Sequence, residues 1–155
     1  MSVENEGNES IRHCRAEDLP AVIGLLEQLG EASGGAPGFD LAHVGRLFEE
    51  MSHAPGIYLN FVYEIEGEVV GFLSMVFYRT LYHQGGTALI NELVVDRCWR
   101  GQGVGGQLVR RAAAEARARG MDELEVGTEQ ENQPAQAFYR RAGFDEEYVL
   151  FGMEF

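Results

Sequence analysis

Lysine is missing from this sequence: all 12 basic residues are arginines, set against 25 acids for a net charge of -13. So acidic a chain is a poor partner for DNA or RNA, because affinity for the phosphate backbone is carried by basic side chains. Anionic membrane surfaces are disfavoured on the same ground. A cationic partner, such as a polyamine or a basic amino group, is instead concentrated by the negative field, although an acidic surface that serves only solubility has the same composition. Cysteine is scarce too, with Cys14 and Cys98 far apart and in no Cys-x-x-Cys or Cys/His cluster, so neither a disulfide framework nor a zinc site is expected, and no metal. No apolar run approaches the ~20 residues that span a bilayer. Met1 to Ser10 lacks the basic start and apolar stretch of a signal peptide, which points to a cytoplasmic location.

What is present fits one domain. At 155 residues, 45% hydrophobic and 24% charged, the chain has enough apolar material for a single core. Residues 1–10, rich in Glu, Asn, Ser and Gly, read as a flexible tail, and 11–155 as the folded domain. Ile11 to Arg15 reads as a first strand. Leu19, Val22, Ile23, Leu26 and Leu29 recur at helical spacing, with Gly30 placed as a stop, and Glu31 to Gly38 as a loop. Leu41, Val44, Leu47, Phe48 and Met51 repeat the helical pattern up to Pro55-Gly56. Strand-like runs follow at Ile57 to Ile65, Val69 to Leu81 and Thr87 to Val95, joined by turn signals short enough for antiparallel hairpins. A helix over Gly103 to Arg119, a strand over Leu124 to Thr128 and a helix started by Pro134 and stopped by Gly143 come next. Val149, Phe151, Met153 and Phe155 alternate with Leu150, Gly152 and Glu154, which predicts a last strand. The fold class is α+β, a mixed and mostly antiparallel central sheet flanked by helices.

The stretch with chemical content lies between Glu92 and Gly106. A β-rich run ends at Val95, and Arg100-Gly101-Gln102-Gly103-Val104-Gly105-Gly106 leads into a helix. Glycines admit close backbone approach and a helix start offers unpaired N–H groups, so this is an anion site suited to a pyrophosphate. The glycines satisfy G-x-G-x-x-G literally, which suggests a dinucleotide. In dinucleotide-binding folds, however, that motif follows the first strand of a parallel βαβ repeat, whereas here it follows hairpins about 100 residues into the chain.

Arg100-x-x-Gly103-x-Gly105, placed after Leu93-Val94-Val95, resembles the R/Q-x-x-G-x-G/A acetyl-CoA motif of the GNAT superfamily of N-acetyltransferases. Asn132-Gln133-Pro134-Ala135-Gln136-Ala137-Phe138-Tyr139, continuing to Gly143-Phe144, resembles that family's N-x-x-A-x-x-F-Y-x-x-x-G-F segment. The resemblance implies a GNAT-like fold over 11–155 and acetyl-CoA as acetyl donor. It implies that Leu93, Val94 and Val95 pair with the pantetheine arm where two strands splay. Gly101, Gln102, Gly103, Val104, Gly105 and Gly106 would hold the pyrophosphate beside Arg100, and Asn132 would touch the CoA chain or cap the Pro134 helix. Phe138 is expected in the core.

A free alkyl amine has a pKa of ~10.4 and is protonated at neutral pH, so transfer needs a proton acceptor. Glu92 is the candidate base, its alternative being an exposed or salt-bridged strand carboxylate. Tyr139 matches the family's acid for the leaving thiolate. The expected acceptor is a primary amine on a small molecule or peptide; Tyr78, Tyr82, His83, Glu129 and Tyr148 lie near ends or loops that could face it, the alternative for each being plain surface or core. A non-catalytic acyl-CoA-binding regulatory module is the competing function, and a homodimer is compatible with the sequence.

Overall fold

A computed structural model describes residues 8–35 and 38–155. The first seven residues of the expected tail lie outside the described residues, while Glu9 and Ser10 already belong to the first strand. In chain order the elements are β1 (Glu9–His13), α1 (Leu19–Ala32), α2 (Leu41–Ser52), β2 (Tyr58–Ile65), β3 (Glu68–Tyr78), β4 (Thr87–Val95), α3 (Val104–Ala118), β5 (Glu123–Val126) and α4 (Gln133–Ala142). They form one sheet in the order β1-β2-β3-β4-β5, antiparallel except for the last pair.

Local chemistry accounts for the pairing. Glu66 and Gly67 both take positive φ, 51° and 85°, the two-residue turn whose twist matches a hairpin, and β2 therefore returns directly as β3. Residues on one face of the sheet, Phe61, Leu73, Met75, Ala88 and Ile90, pack with Val104, Leu108, Ala112 and Ala116 of α3 into the main core. The opposite face places Val62, Phe72 and Val94 against Val22 and Leu25 of α1. Both layers follow from period-2 strands against period-3.6 helices. Gly71 marks the closest approach, since a Cβ there would meet Leu108 at 3.0 Å and Val104 at 3.2 Å.

Three sequence expectations need correction. First, α1 runs through Gly30 to Ala32, because a glycine costs a helix interior only about 1 kcal/mol when no left-handed cap is imposed. Second, β3 stops at Tyr78, leaving Leu81 and Tyr82 exposed. Third, Val149 to Phe155 forms no strand: the segment after Gly143 is irregular, and Val149, Leu150, Phe151, Met153 and Phe155 stand in solvent. Alternation supplies a face but not a partner, and an unpaired strand has no ladder to hold it.

The N-terminal end is tied down by charge. Asp18, only 6% exposed, accepts two hydrogen bonds from the Arg12 guanidinium at 2.7 and 2.9 Å and one from the Arg15 N–H at 2.8 Å. Arg12 also bonds Glu64 on β2. Hydrogen bonds from Arg12 hold the Asp18 carboxyl below the usual range. A depressed pKa contributes stability above the unfolded-state value of ~3.9 that is lost as pH falls through the folded one. Asp18→Asn should cost about 1–3 kcal/mol at pH 7, and the deficit relative to wild type should begin to shrink below about pH 4 and close as pH falls through the lower folded-state value. Chemical denaturation at both pH values checks this.

Candidate active site

The site begins where two strands part. β4 pairs with β5 only from Thr87–Glu123 to Ile90–Val126, after which β5 has ended and β4 continues for five residues. The β4 edge from Asn91 to Val95 is thus not covered by β5, and its backbone groups are available to an extended ligand. On its other edge β4 is bulged: Met75 pairs with Ile90 and Ser74 with Glu92, so Asn91 has no partner. Bulges re-aim the side chains beside them. Glu92 thereby lies opposite Ser74, which lies opposite Asn60, a polar row across three strands on the α1 face.

Glu92 is half-buried and accepts a hydrogen bond from the Ser74 hydroxyl on one carboxylate oxygen, leaving the other oxygen open. Burial raises its pKa above the ordinary carboxylate value. In the sequence Ser74 is marked only as the lone hydroxyl in the apolar run Val69 to Phe77.

Beyond Val95 the chain turns sharply. Asp96 accepts from the Cys98 N–H at 2.8 Å, and the Gln28 carboxamide clamps this turn, donating to Asp96 at 2.9 Å and accepting from the Arg97 N–H at 3.0 Å. Nothing in the sequence signals Gln28, which is 68 residues away on α1. Arg100 donates through Nε to the Val95 carbonyl at 3.0 Å, so this guanidinium is anchored to the end of β4.

Gly103 then caps α3 with φ of 88° and no side-chain hydrogen bond. The first-turn N–H groups of Val104, Gly105 and Gly106 therefore point outward at the positive end of a 15-residue helix. Residues 97–107 contain two arginines and no acid, in a chain with 25 acids. A Cβ on Gly105 would meet the Phe138 ring at 3.3 Å and Val95 at 3.6 Å, so α3, α4 and β4 converge on this glycine. These donors suit an anionic group at the end of a ligand lying along β4.

From α4, Tyr139 stacks edge-on between Phe138 and Phe144, with ring centroids 5.2 and 5.6 Å away. It is half-buried, and burial raises its pKa, keeping the phenol protonated at neutral pH. Asn132 caps α4 by accepting from the Ala135 N–H at 3.1 Å. Glu129, Glu131 and Asn132 line an open depression with Ala32 and Ser33 at the end of α1.

The remaining acceptor-facing candidates lie elsewhere. Tyr78 pairs with Thr87 at the opposite end of β4, about 17 Å from Glu92 at ~3.3 Å per residue. It donates to Glu125, and His83 sits 3.4 Å from Glu123. Tyr148 is exposed, its phenol raised chiefly by the charge of Glu123. Of the five, Glu129 alone shares a surface with Asn132. Cys14 is half-buried, which pushes its thiol up to about 12, and it takes no part in the cleft. Among the described residues no group of three or more His, Cys, Asp or Glu is arranged to hold a metal, and no helix is long and apolar enough to cross a membrane.

Comparison with known proteins identifies the fold and the family. An aminoalkylphosphonate N-acetyltransferase of Salmonella typhimurium is 30% identical over 91% of this chain and 88% of its own length. Among solved structures, a Bacillus halodurans protein described as a transcriptional regulator superposes with a TM-score of 0.85 at 26% identity, covering 96% of this chain and all of that one. An aminoglycoside N-acetyltransferase in complex with CoA, 23% identical, shares the fold with a TM-score of 0.81 over 99% of each chain. The model of the acetyltransferase (GNAT) family matches residues 14–144, and this chain belongs to that family.

Proposed function

We propose that the protein transfers the acetyl group of acetyl-CoA to a primary amine on a small molecule or peptide. One observation carries this reading: the β4 edge left uncovered by β5 leads from Glu92 straight to the unpaired amides that begin α3. In it, Leu93, Val94 and Val95 hold the pantetheine arm as an added strand. Gly101 to Gly106 receive the pyrophosphate, with Arg100 beside it. Acetyl-CoA supplies an acetyl group activated as a thioester. Asn132, whose carboxamide oxygen caps α4, has its NH₂ left for the CoA chain.

Glu92 takes the proton from the incoming ammonium on the oxygen that Ser74 does not occupy. The freed amine then forms the new N–C bond as the C–S bond breaks; Tyr139 donates its hydroxyl proton to the departing sulfur and takes the second proton released by the acylated nitrogen, leaving a neutral amide and the free thiol. Each residue's environment favours its task, since burial brings the Glu92 carboxyl nearer neutral pH and keeps the Tyr139 phenol intact. The net charge of -13 and the acidic depression at Glu129 and Glu131 favour a cationic acceptor. The Salmonella relative's acceptor, an aminoalkylphosphonate, is also an amine, but its anionic end suits this depression less well.

Thiol release from acetyl-CoA, followed over polyamines, aminoglycosides, aminoalkylphosphonates, amino acids and peptides, tests the reading. Turnover is expected with a primary amine and not with its tertiary counterpart. Tight CoA binding without turnover on any acceptor would assign the fold to a binding module instead.

The pH dependence follows from Glu92. Its base form is lost as pH falls through the raised pKa, so the acidic limb of kcat/KM should lie above the ordinary carboxylate range. Glu92→Gln should flatten that limb and lower the rate by about 10²–10⁴-fold.

Tyr139→Phe keeps the ring between Phe138 and Phe144 and removes only the hydroxyl. kcat should fall by about 10²-fold with acetyl-CoA affinity nearly constant, as for an interaction made in the transition state. An unchanged kcat with a lowered Tm would make Tyr139 a packing residue.

A further inference from the structure

We propose that Ser74 is the positioning residue for Glu92: its hydroxyl holds the carboxylate in the cleft, reserves one oxygen for the amine proton and sets the pH above which the base works. The inference rests on the reading of Glu92 as proton acceptor and asks what makes that carboxylate usable.

Ser74 lies in the middle of β3 and is only 7% exposed. Among the described residues it is one of three buried polar or charged side chains, with Asp18 and Thr87. Those two have partners of their own, Arg12 for Asp18 and Glu123 for Thr87. A buried hydroxyl is costly unless it is hydrogen-bonded, so a serine at this place is explained by what it bonds, and it donates to Glu92. The strand register is adjusted for that bond. Met75 pairs with Ile90, and the next pair would be Ser74 with Asn91; the bulge skips Asn91 and sets Ser74 opposite Glu92 instead. Asn60, the third member of the row, donates to the Met51 sulfur at 3.9 Å, which leaves the Ser74 hydroxyl to the carboxylate.

The hydroxyl also meets an electrostatic need. Burial raises the Glu92 carboxyl with no charged neighbour contributing, and a donated hydrogen bond favours the charged form and so works against burial. The charges on the surrounding elements are engaged elsewhere. Arg12, Asp18 and Glu64 bond one another, Glu31 of α1 pairs with Arg97, and Asp96 is held by Gln28. Glu123 and Glu125 of β5 take the hydroxyls of Thr87 and Tyr78. Glu27 of α1 and His43, Arg46, Glu49 and Glu50 of α2 are exposed. From α4, the Tyr139 phenol is neutral. Ser74 is left as the group that keeps Glu92 ionised.

The test follows the Glu92 carboxyl by carbon-13 NMR titration of the free protein, with Glu92→Gln assigning the resonance. In parallel, acetyl-CoA affinity is measured, and the pH profile of kcat/KM is recorded with the amine turned over fastest in the acceptor panel. Without the donor the charged form is less favoured and the base is lost at higher pH. Ser74→Ala should therefore move both the titration and the acidic limb up by about one pH unit, a tenfold lower kcat/KM on that limb, with acetyl-CoA affinity unchanged. Ser74→Thr keeps the hydroxyl on a residue suited to a strand and should restore both. In the Glu92→Gln background, Ser74→Ala should cost nothing further. An unmoved titration in Ser74→Ala overturns the proposal whatever its melting temperature, as does an equal shift in Ser74→Thr or an added loss in the double variant. If Glu92→Gln leaves the acidic limb in place, the assignment of the base fails instead, while the titration still reports whether Ser74 holds the carboxylate. Should Ser74→Ala not fold, Ser74→Cys, close in size but a weak donor, carries the same titration with the same upward shift expected.

Discussion

β4 has two edges and a neighbour on the second for less than half of its length. Between Thr87 and Ile90 both edges are occupied; beyond Ile90 the β5 side lies bare, because β5 is only four residues long. Hydrogen-bonding backbone cannot be left bare in a dry interior, so the split between the two strands has to be a cleft. The features around it serve that opening: the Gln28 clamp on the Asp96 turn, Arg100 on the Val95 carbonyl, and the glycine where α3, α4 and β4 meet. Lengthening β5 by a few residues would close the cleft without changing any of the side chains proposed to do chemistry.

Charge is distributed in a way that suits two different guests. The chain is strongly acidic, but the turn from Arg97 to Gln107 is free of acids and ends on outward-pointing amides. An anion is welcome there and hardly elsewhere. In the open depression at the end of α1, Glu129 and Glu131 lie exposed beside Asn132. A negative field over most of the surface draws cations toward the molecule, and the local amides offset it only where phosphate is expected to rest.

The polar row Asn60, Ser74 and Glu92 shows how a half-buried carboxylate is accommodated in a sheet. A charged group between apolar layers is costly unless hydrogen-bonded. The bulge at Asn91 brings Glu92 opposite Ser74, whose hydroxyl supplies that bond. Packing on both sides then holds the pair: Val94 and Phe72 lie under α1, while Ile90 and Met75 lie under α3.

Most of the element order was legible in the sequence, because it is written in local chemistry. Helical spacing in 19–29 and 104–116, the Glu66-Gly67 turn, Pro134 at a helix start and Gly143 at its end each act within a few residues. The glycine-rich turn was legible for the same reason, since a left-handed Gly103 ahead of a helix is a local property. Relations between distant residues were not. Gln28 reaches Asp96 across 68 positions, Ser74 meets Glu92 through a bulge that no pattern announces, and Tyr78 and His83 lie at the far end of β4 from Glu92. The segment 149–155 marks the boundary most clearly. Alternating residues determined that it has an apolar face, but a strand exists only against a neighbour, and among the described residues the tertiary structure supplies none.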